Sequence, residues 1–122
     1  KIDFCLEIHN VGNKTDNLYV RILLKGSDGR SVTMSPSNRS YAIEPNERIE
    51  KTFRFDVSNV VPGRYTASFA LYRIGELGTA CNVDILSDIY SFTVKTVPGF
   101  NNDVHWNANW WGSMTNGWLE EV

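Results

Sequence analysis

The residues best suited to chemistry in this sequence are tryptophans that cluster in a polar stretch near the C-terminus. Residues 105–112 read His-Trp-Asn-Ala-Asn-Trp-Trp-Gly and hold three of the four tryptophans. Flat rings bury much apolar area while Asn and His supply hydrogen bonds, a combination that suits a surface binding sugars or another protein. The competing interpretation is that the rings close the open end of a β-sandwich, because large aromatic side chains are mostly buried.

The tryptophans of this stretch are candidate carbohydrate-binding residues, and they differ in the roles that we expect. The three candidates are Trp106, Trp110 and Trp111. Trp106 and the later Trp118 also suit a packing role. Trp110 and Trp111 are adjacent and precede Gly112, so this pair is the better suited to leave one ring exposed.

A second candidate surface comes from polar and aromatic residues that alternate with core residues. Aromatic rings stack on the apolar faces of sugars, and arginine donates hydrogen bonds to hydroxyls. If the strands that carry these residues are neighbours in one sheet, we expect a shallow polar-aromatic binding face. Otherwise they are ordinary solvent-facing positions, which need no functional explanation. The residues are Tyr19, Arg21, Arg54 and Tyr72.

The sequence shows no local pattern for catalysis or for a cofactor. His9 and His105 are far apart and lack partners at the spacing of metal ligands. Gly75-x-x-Gly78 lacks the Lys-Ser/Thr and the helix of a phosphate-binding loop. No segment places a nucleophile beside a base, and most carboxylates fall in turns or on outward faces. We therefore predict a protein that is not an enzyme and that has no cofactor and no metal site.

Composition limits the class of protein and its partners. The chain has 122 residues, enough for one domain, and a net charge of -2, which indicates no nucleic-acid partner. No apolar run approaches the roughly 20 residues that span a bilayer. Cys5 and Cys81 favour two free thiols and a reducing compartment, with a single bridge as the alternative. The start at Lys1, without Met, suggests a mature protein or a fragment of a larger one.

Apolar residues recur at every second position, which predicts β-strands with one buried face. Asp28-Gly29 predicts a hairpin turn, and Lys51 is a polar exception on an otherwise apolar face. Residues 74–88 have no strict period and are predicted to form an irregular crossing loop. Strands are expected near residues 2–8, 18–24, 31–34, 41–43, 49–57, 65–72 and 90–94.

Short strands with turns between them predict an all-β fold. We expect an antiparallel β-sandwich, either immunoglobulin-like or jelly-roll. Residues 1–97 would form the sandwich body. Residues 98–122 would form an aromatic C-terminal segment of the same domain, set off by Pro98-Gly99.

The order of these features resembles the C-terminal domain of Wzt-type polysaccharide ABC transporters. Pro62-Gly63-Arg64-Tyr65 leads into a strand, and residues 84–94 follow the pattern D-x-x-x-D-x-x-S-F-x-V. Asp28-Gly29 lies where the family often has a turn, and the chain closes on a Trp-Gly segment. The resemblance extends from about residue 2 to residue 118.

The resemblance implies a non-catalytic β-sandwich that recognises an exported glycan. The glycan would be a lipid-linked polysaccharide, for example one carried on undecaprenyl. The protein partners would be the ATPase and the membrane subunits of the transporter, together with a second copy in a homodimer. The location would be cytoplasmic, peripheral on the inner face of the bacterial cell membrane.

Two other functions remain open from the sequence. One is an accessory β-sandwich of an extracellular glycoside hydrolase or surface protein. The other is an immunoglobulin-like protein–protein adaptor whose tryptophan segment docks a partner chain. The sequence upstream of Lys1 discriminates between the exporter domain and the accessory module. A phosphate-loop ATPase there supports the exporter, and a signal peptide or a hydrolase barrel supports the accessory module.

Overall fold

The computed structural model of the chain describes residues 1–95, 113–114 and 121–122. These residues form seven strands. None of the described residues belongs to a helix with the length and apolar character needed to cross a membrane. The strands are β1 (Ile2–His9), β2 (Asp16–Gly26), β3 (Ser31–Pro36), β4 (Tyr41–Ile43), β5 (Arg48–Phe55), β6 (Gly63–Ile74) and β7 (Ala80–Val94).

The strands form two antiparallel sheets. β1 and β5 make the small sheet, and the large sheet has the order β3-β2-β6-β7, with β4 paired to the beginning of β2. Every pairing among these seven strands is antiparallel. The expected antiparallel β-sandwich is therefore confirmed.

The core lies between the sheets because apolar residues occupy alternate positions of the facing strands. Ile22 and Leu24 of β2 cluster with Phe55 of β5 and Phe69 of β6, and Phe4 of β1 packs against them. The ring centroids of Phe4 and Phe69 lie 4.5 Å apart across the two sheets. Burial of these side chains is the main stabilising contribution to the fold.

Lys51 is the polar exception on the inner face of β5, as predicted. Its Nζ lies 5.6 Å from the centroid of the Tyr41 ring, and the Arg39 guanidinium approaches the same ring at 5.0 Å. The Tyr41 ring itself meets the Phe53 ring edge-on, with the ring centroids 6.0 Å apart. The aliphatic stem of Lys51 thus follows the core edge while its ammonium group is held against an aromatic ring.

The prediction of an irregular crossing loop over residues 74–88 is wrong. β6 and β7 form a long hairpin that turns at residues 75–79, where the Gly75 N–H donates to the Thr79 carbonyl at 2.8 Å. Two register shifts interrupt the pairing of β7, and its residues 80–91 are exposed on both faces. Because bulges break the two-residue period and neither face is buried, the sequence carries no alternation there. The predicted strand at 90–94 is the last part of β7.

Cys5 and Cys81 are both exposed, and neither forms a disulfide. The Cys5 Sγ donates a hydrogen bond to Glu50 Oε1 at 3.3 Å. This contact with a carboxylate raises the pKa of the Cys5 thiol, because a thiolate beside a negative charge is disfavoured. The structure thus has the two free thiols that the sequence favours.

Ion pairs join neighbouring strands of each sheet at the surface. Arg54 of β5 donates to Asp3 of β1 through two nitrogens, and Arg73 of β6 donates to Asp16 of β2 with an Nε–Oδ1 distance of 2.7 Å. The hydrogen bonds from Arg73 lower the pKa of Asp16. Because Arg73 follows Tyr72, the last β6 residue paired to β2, this contact extends the β2–β6 ladder.

Leu24 and Leu77 provide a matched test of where the stability lies. Leu24 is fully buried, while Leu77 in the β6–β7 turn is 95% exposed. We expect Leu24→Ala to lower the free energy of unfolding by about 2 to 5 kcal/mol, since it loses buried area and leaves a cavity. Leu77→Ala should change it by less than about 0.5 kcal/mol. Urea denaturation measures both, and equal losses would contradict the described core.

We expect the Asp16–Arg73 pair to contribute to the loss of unfolding free energy at acid pH. The folded-state pKa of Asp16 lies below its unfolded value, so its stabilisation is present above about pH 4 and is lost as pH falls through the folded pKa. Asp16→Asn should therefore flatten part of the decline in unfolding free energy at acid pH. Arg73→Gln should flatten it equally. An unchanged slope in both variants, measured by urea denaturation across pH, would exclude the pair as a source.

Candidate functional site

The outer face of the large sheet, which points away from the core, holds the candidate site. Tyr19 and Arg21 alternate along β2 with residues that point into the core. The antiparallel register sets Tyr19 opposite Tyr72 and Arg21 opposite Ala70 of β6. Residues directly opposite each other in antiparallel strands share a face, so these side chains stand side by side.

Four side chains form a connected cluster across the adjacent strands β2, β6 and β7. The Tyr19 and Tyr72 rings stack with centroids 5.4 Å apart and an interplanar angle of 23°. The Arg21 guanidinium carbon lies 5.2 Å from the centroid of the Tyr72 ring, and Arg21 Nη2 donates to Asn82 Oδ1 of β7 at 2.7 Å. We call Tyr19, Arg21, Tyr72 and Asn82 the aromatic–guanidinium cluster.

The two rings of the cluster differ in accessibility. Tyr72 is only 7% exposed, whereas Tyr19 is half-buried. Tyr72 is therefore mostly covered, and its ring contacts both the Tyr19 ring and the Arg21 guanidinium. Tyr19 is the ring that an incoming ligand can reach.

A groove of about 270 Å³ lies beside Arg21 on the same face. Ser68 and Ala70 of β6 are buried although they point away from the core, because longer side chains of the neighbouring strands rise around them. Small residues thus make the floor of the groove, and we call it the outer groove. Its lining includes Arg21, Leu23, Lys25, Met34, Ser68, Ala70, Ile85 and Ser87.

A bulge of β7 shapes one side of the outer groove. The register passes from Phe69↔Leu86 to Ala67↔Tyr90, so Ser68 faces three residues of β7 instead of one. Asp88, with φ at 51°, takes the left-handed conformation within this bulge. Its backbone N–H donates to Ser68 Oγ at 2.8 Å, and its Oδ1 lies 3.7 Å from Lys25 Nζ. The bulge thereby supplies the hydrogen bond that the buried Ser68 hydroxyl requires.

The structure brings together three of the four predicted sheet residues. Tyr19, Arg21 and Tyr72 meet because β2 and β6 are neighbours. Arg54 lies on the outer face of the small sheet, on the opposite side of the sandwich, since it belongs to β5. There it is paired with Asp3, whose pKa is lowered by the hydrogen bonds from Arg54.

The predicted tryptophan site falls outside the described residues, and so does most of the predicted aromatic C-terminal segment, residues 98–122. Trp106, Trp110 and Trp111 therefore remain predictions. Of that segment the structure describes residues 121–122 and also Ser113 and Met114, which lie against the loop before β6. The Val61 N–H donates to the Ser113 carbonyl at 3.1 Å, and Val60 pairs with Met114.

Sequence reasoning missed several residues of the site. Asn82 lies within residues 74–88, for which the sequence predicts a loop, because the bulges hide the period of β7. Leu23 and Lys25 carry a signal that was available, since they continue the outward alternation of Tyr19 and Arg21. Ser68 and Ala70 share the outward alternation of Tyr72, but their burial in the floor of the groove depends on the neighbouring side chains. Ile85 lies in the bulged strand β7, where no period is visible.

The chemistry of the aromatic–guanidinium cluster suits binding to a ligand with both a flat apolar face and polar groups. An exposed ring offers a stacking surface, and the guanidinium and the amide offer directed hydrogen bonds. Within residues 1–95, 113–114 and 121–122, no three His, Cys, Asp or Glu side chains converge as a metal site would need.

The fold of this chain is similar to that of a solved structure. No family model matches the chain, and no curated protein matches its sequence. Among solved structures, the chain is similar to one described as the crystal structure of the C-terminal domain of wzt, with a TM-score of 0.69 and 16% sequence identity. The match covers 98% of this chain and 68% of that chain. The resemblance to the Wzt C-terminal domain is therefore confirmed at the level of the fold.

Proposed function

We propose that this chain is a non-catalytic carbohydrate-recognition domain that binds a lipid-linked polysaccharide for export by an ABC transporter. The observation that carries the proposal is the aromatic–guanidinium cluster on the outer face of the large sheet. The fold shared with the C-terminal domain of Wzt supports the same function. The sequence pattern and the surface chemistry thus lead to one class of ligand.

The cluster has the two elements that sugar recognition needs. The Tyr19 ring is held by stacking on Tyr72, with the ring centroids 5.4 Å apart, so stacking of a sugar on Tyr19 requires little reorganisation of the protein. Arg21 and Asn82 provide polar groups on the same face of the sheet. A ring that covers the apolar face of a sugar and neighbours that hydrogen-bond its edge are complementary to a pyranose.

The dimensions of the site favour a short stretch of a glycan. At about 270 Å³, the outer groove is near the lower limit of small-molecule pockets, which begin at about 300 Å³. It opens onto the surface of the sheet, so the rest of a polymer need not fit inside it. We infer that one part of the chain or its end is recognised while the rest stays outside the groove.

The wider assembly follows from the same proposal. The domain would act with the ATPase and the membrane subunits of a transporter, on the cytoplasmic side of the bacterial membrane. It would hold the lipid-linked polymer, for example an undecaprenyl-linked one, near the entrance. A homodimer is part of the proposal, because edge strands offer unpaired backbone groups to a second copy.

Sugar titration of single tyrosine variants tests the proposed site. The ligands are methyl glycosides of mannose, rhamnose, glucose and galactose, followed by NMR chemical shifts. We expect shifts at Tyr19, Arg21 and Asn82, and about five- to tenfold weaker binding in Tyr19→Ala, because the stacking surface is lost. Tyr90→Ala is the matched control, since Tyr90 is 53% exposed and lies outside the outer groove.

Two results of the titration would contradict the proposal. An absence of shifts on this face at millimolar sugar would rule out a carbohydrate site there. Equal loss of affinity in Tyr19→Ala and Tyr90→Ala would show that the ring at position 19 has no special role.

The tryptophan segment has its own test, because it is the other predicted binding surface. We expect Trp110→Ala and Trp111→Ala to keep the cooperative thermal unfolding of the protein and to weaken glycan binding. Trp118→Ala serves as the comparison and should lower Tm, since we predict a packing role for that ring. Loss of cooperative unfolding in the Trp110 and Trp111 variants would make those rings structural.

A further inference from the structure

Arg21 differs from Arg48, Arg54 and Arg73 in the group that it contacts. Arg48, Arg54 and Arg73 each donate to a carboxylate on a neighbouring strand, at 3.0, 2.7 and 2.7 Å. Arg21 of β2 reaches across β6 to β7, where its acceptor at 2.7 Å is the neutral amide of Asn82. The salt bridges among the described residues do not include Arg21. Among the described residues, its positive charge is therefore held in position without a carboxylate to balance it.

The other cation of the outer groove is balanced. Lys25 Nζ lies 3.7 Å from Asp88 Oδ1, at the bulge of β7. The lining of the groove contributes Arg21 and Lys25 and no carboxylate of its own. With Asp88 set against Lys25, the described surroundings of the groove keep one uncompensated positive charge, at Arg21.

The guanidinium is also preorganised for a ligand. It lies on the Tyr72 ring, and one of its five N–H donors is used by Asn82. An arginine fixed in this way can bind a planar anion without the loss of side-chain freedom that a mobile one incurs. The Tyr19 ring stacks on the same Tyr72 ring.

We propose that the outer groove selects a sugar that bears a carboxylate, such as a uronic acid, and that Arg21 binds this carboxylate while Tyr19 stacks on the sugar ring. The inference rests on the proposed carbohydrate-binding function and specifies its ligand. One uncompensated positive charge matches the single charge of a carboxylate. A phosphate monoester carries about -1.5 to -2 at pH 7 and would leave excess negative charge.

Paired sugars test this selectivity by isothermal titration. The probes are the methyl glycosides of glucuronate and galacturonate, each compared with the glucoside or galactoside that lacks the carboxylate, with glucose 6-phosphate as a further arm. We expect each uronate to bind about tenfold more tightly than its neutral counterpart, because a charge-assisted hydrogen bond is gained. The preference should decrease as salt rises.

Two variants address the charge directly. Asn82→Asp places an internal carboxylate where Arg21 already donates, so it should remove the preference for uronates over their neutral counterparts. Arg21→Gln should remove the preference as well. Arg30→Gln is the charge-matched control, because the Arg30 side chain is 89% exposed in the β2–β3 turn, and it should retain the preference.

The outcomes separate this inference from the proposed function. Equal binding of uronates and neutral sugars by the unchanged protein would overturn the inference and leave carbohydrate recognition standing. Binding of none of the sugars would overturn both. A preference that persists in Arg21→Gln, or tighter binding of glucose 6-phosphate than of the uronates, would also overturn it.

Discussion

The antiparallel pairing of β2 with β6 is the interaction on which the rest of the structure depends. The same ladder sets Ile22 opposite Phe69 in the core and Tyr19 opposite Tyr72 on the outer face. Because side chains alternate strictly, a slip of one residue would exchange the two faces of one strand. Hydrophobic burial therefore holds the register, and the register in turn builds the aromatic part of the candidate site. Stability and binding surface arise from one constraint.

The bulges of β7 add to that ladder what regular pairing would not allow. The register passes from Leu71↔Asp84 to Tyr72↔Asn82, so Val83 is an extra residue. Without it, Asn82 would lie opposite Arg73 and face the other side of the sheet. The bulge thus moves the amide next to Arg21. The second bulge, at Asp88, satisfies the buried Ser68 and holds Lys25 at the end of the groove. Irregular backbone thereby positions the polar groups that regular strands do not supply.

The distribution of charge separates the two outer faces of the sandwich. On the small sheet, guanidinium groups meet carboxylates across β1 and β5, as Arg54 does with Asp3 and Arg48 with Glu7. Such exposed pairs add little stability, but they leave no net charge to attract an ion. On the large sheet, Arg21 meets an amide. The face that carries the stacked tyrosines thus also presents a guanidinium that contacts an amide instead of a carboxylate, which suits it to bind an anionic group.

The sequence by itself determined the β-sandwich class, the alternation of most strands and the outward position of Tyr19, Arg21 and Tyr72, because a two-residue period reports which residues share a face. The tertiary structure alone decided which strands are neighbours. Arg54 has the same outward pattern as Arg21, yet it lies on the other sheet. Asn82 has no pattern at all, because β7 is bulged and exposed on both faces, yet it completes the cluster. Periodicity describes one strand, whereas a site on a sheet is made between strands.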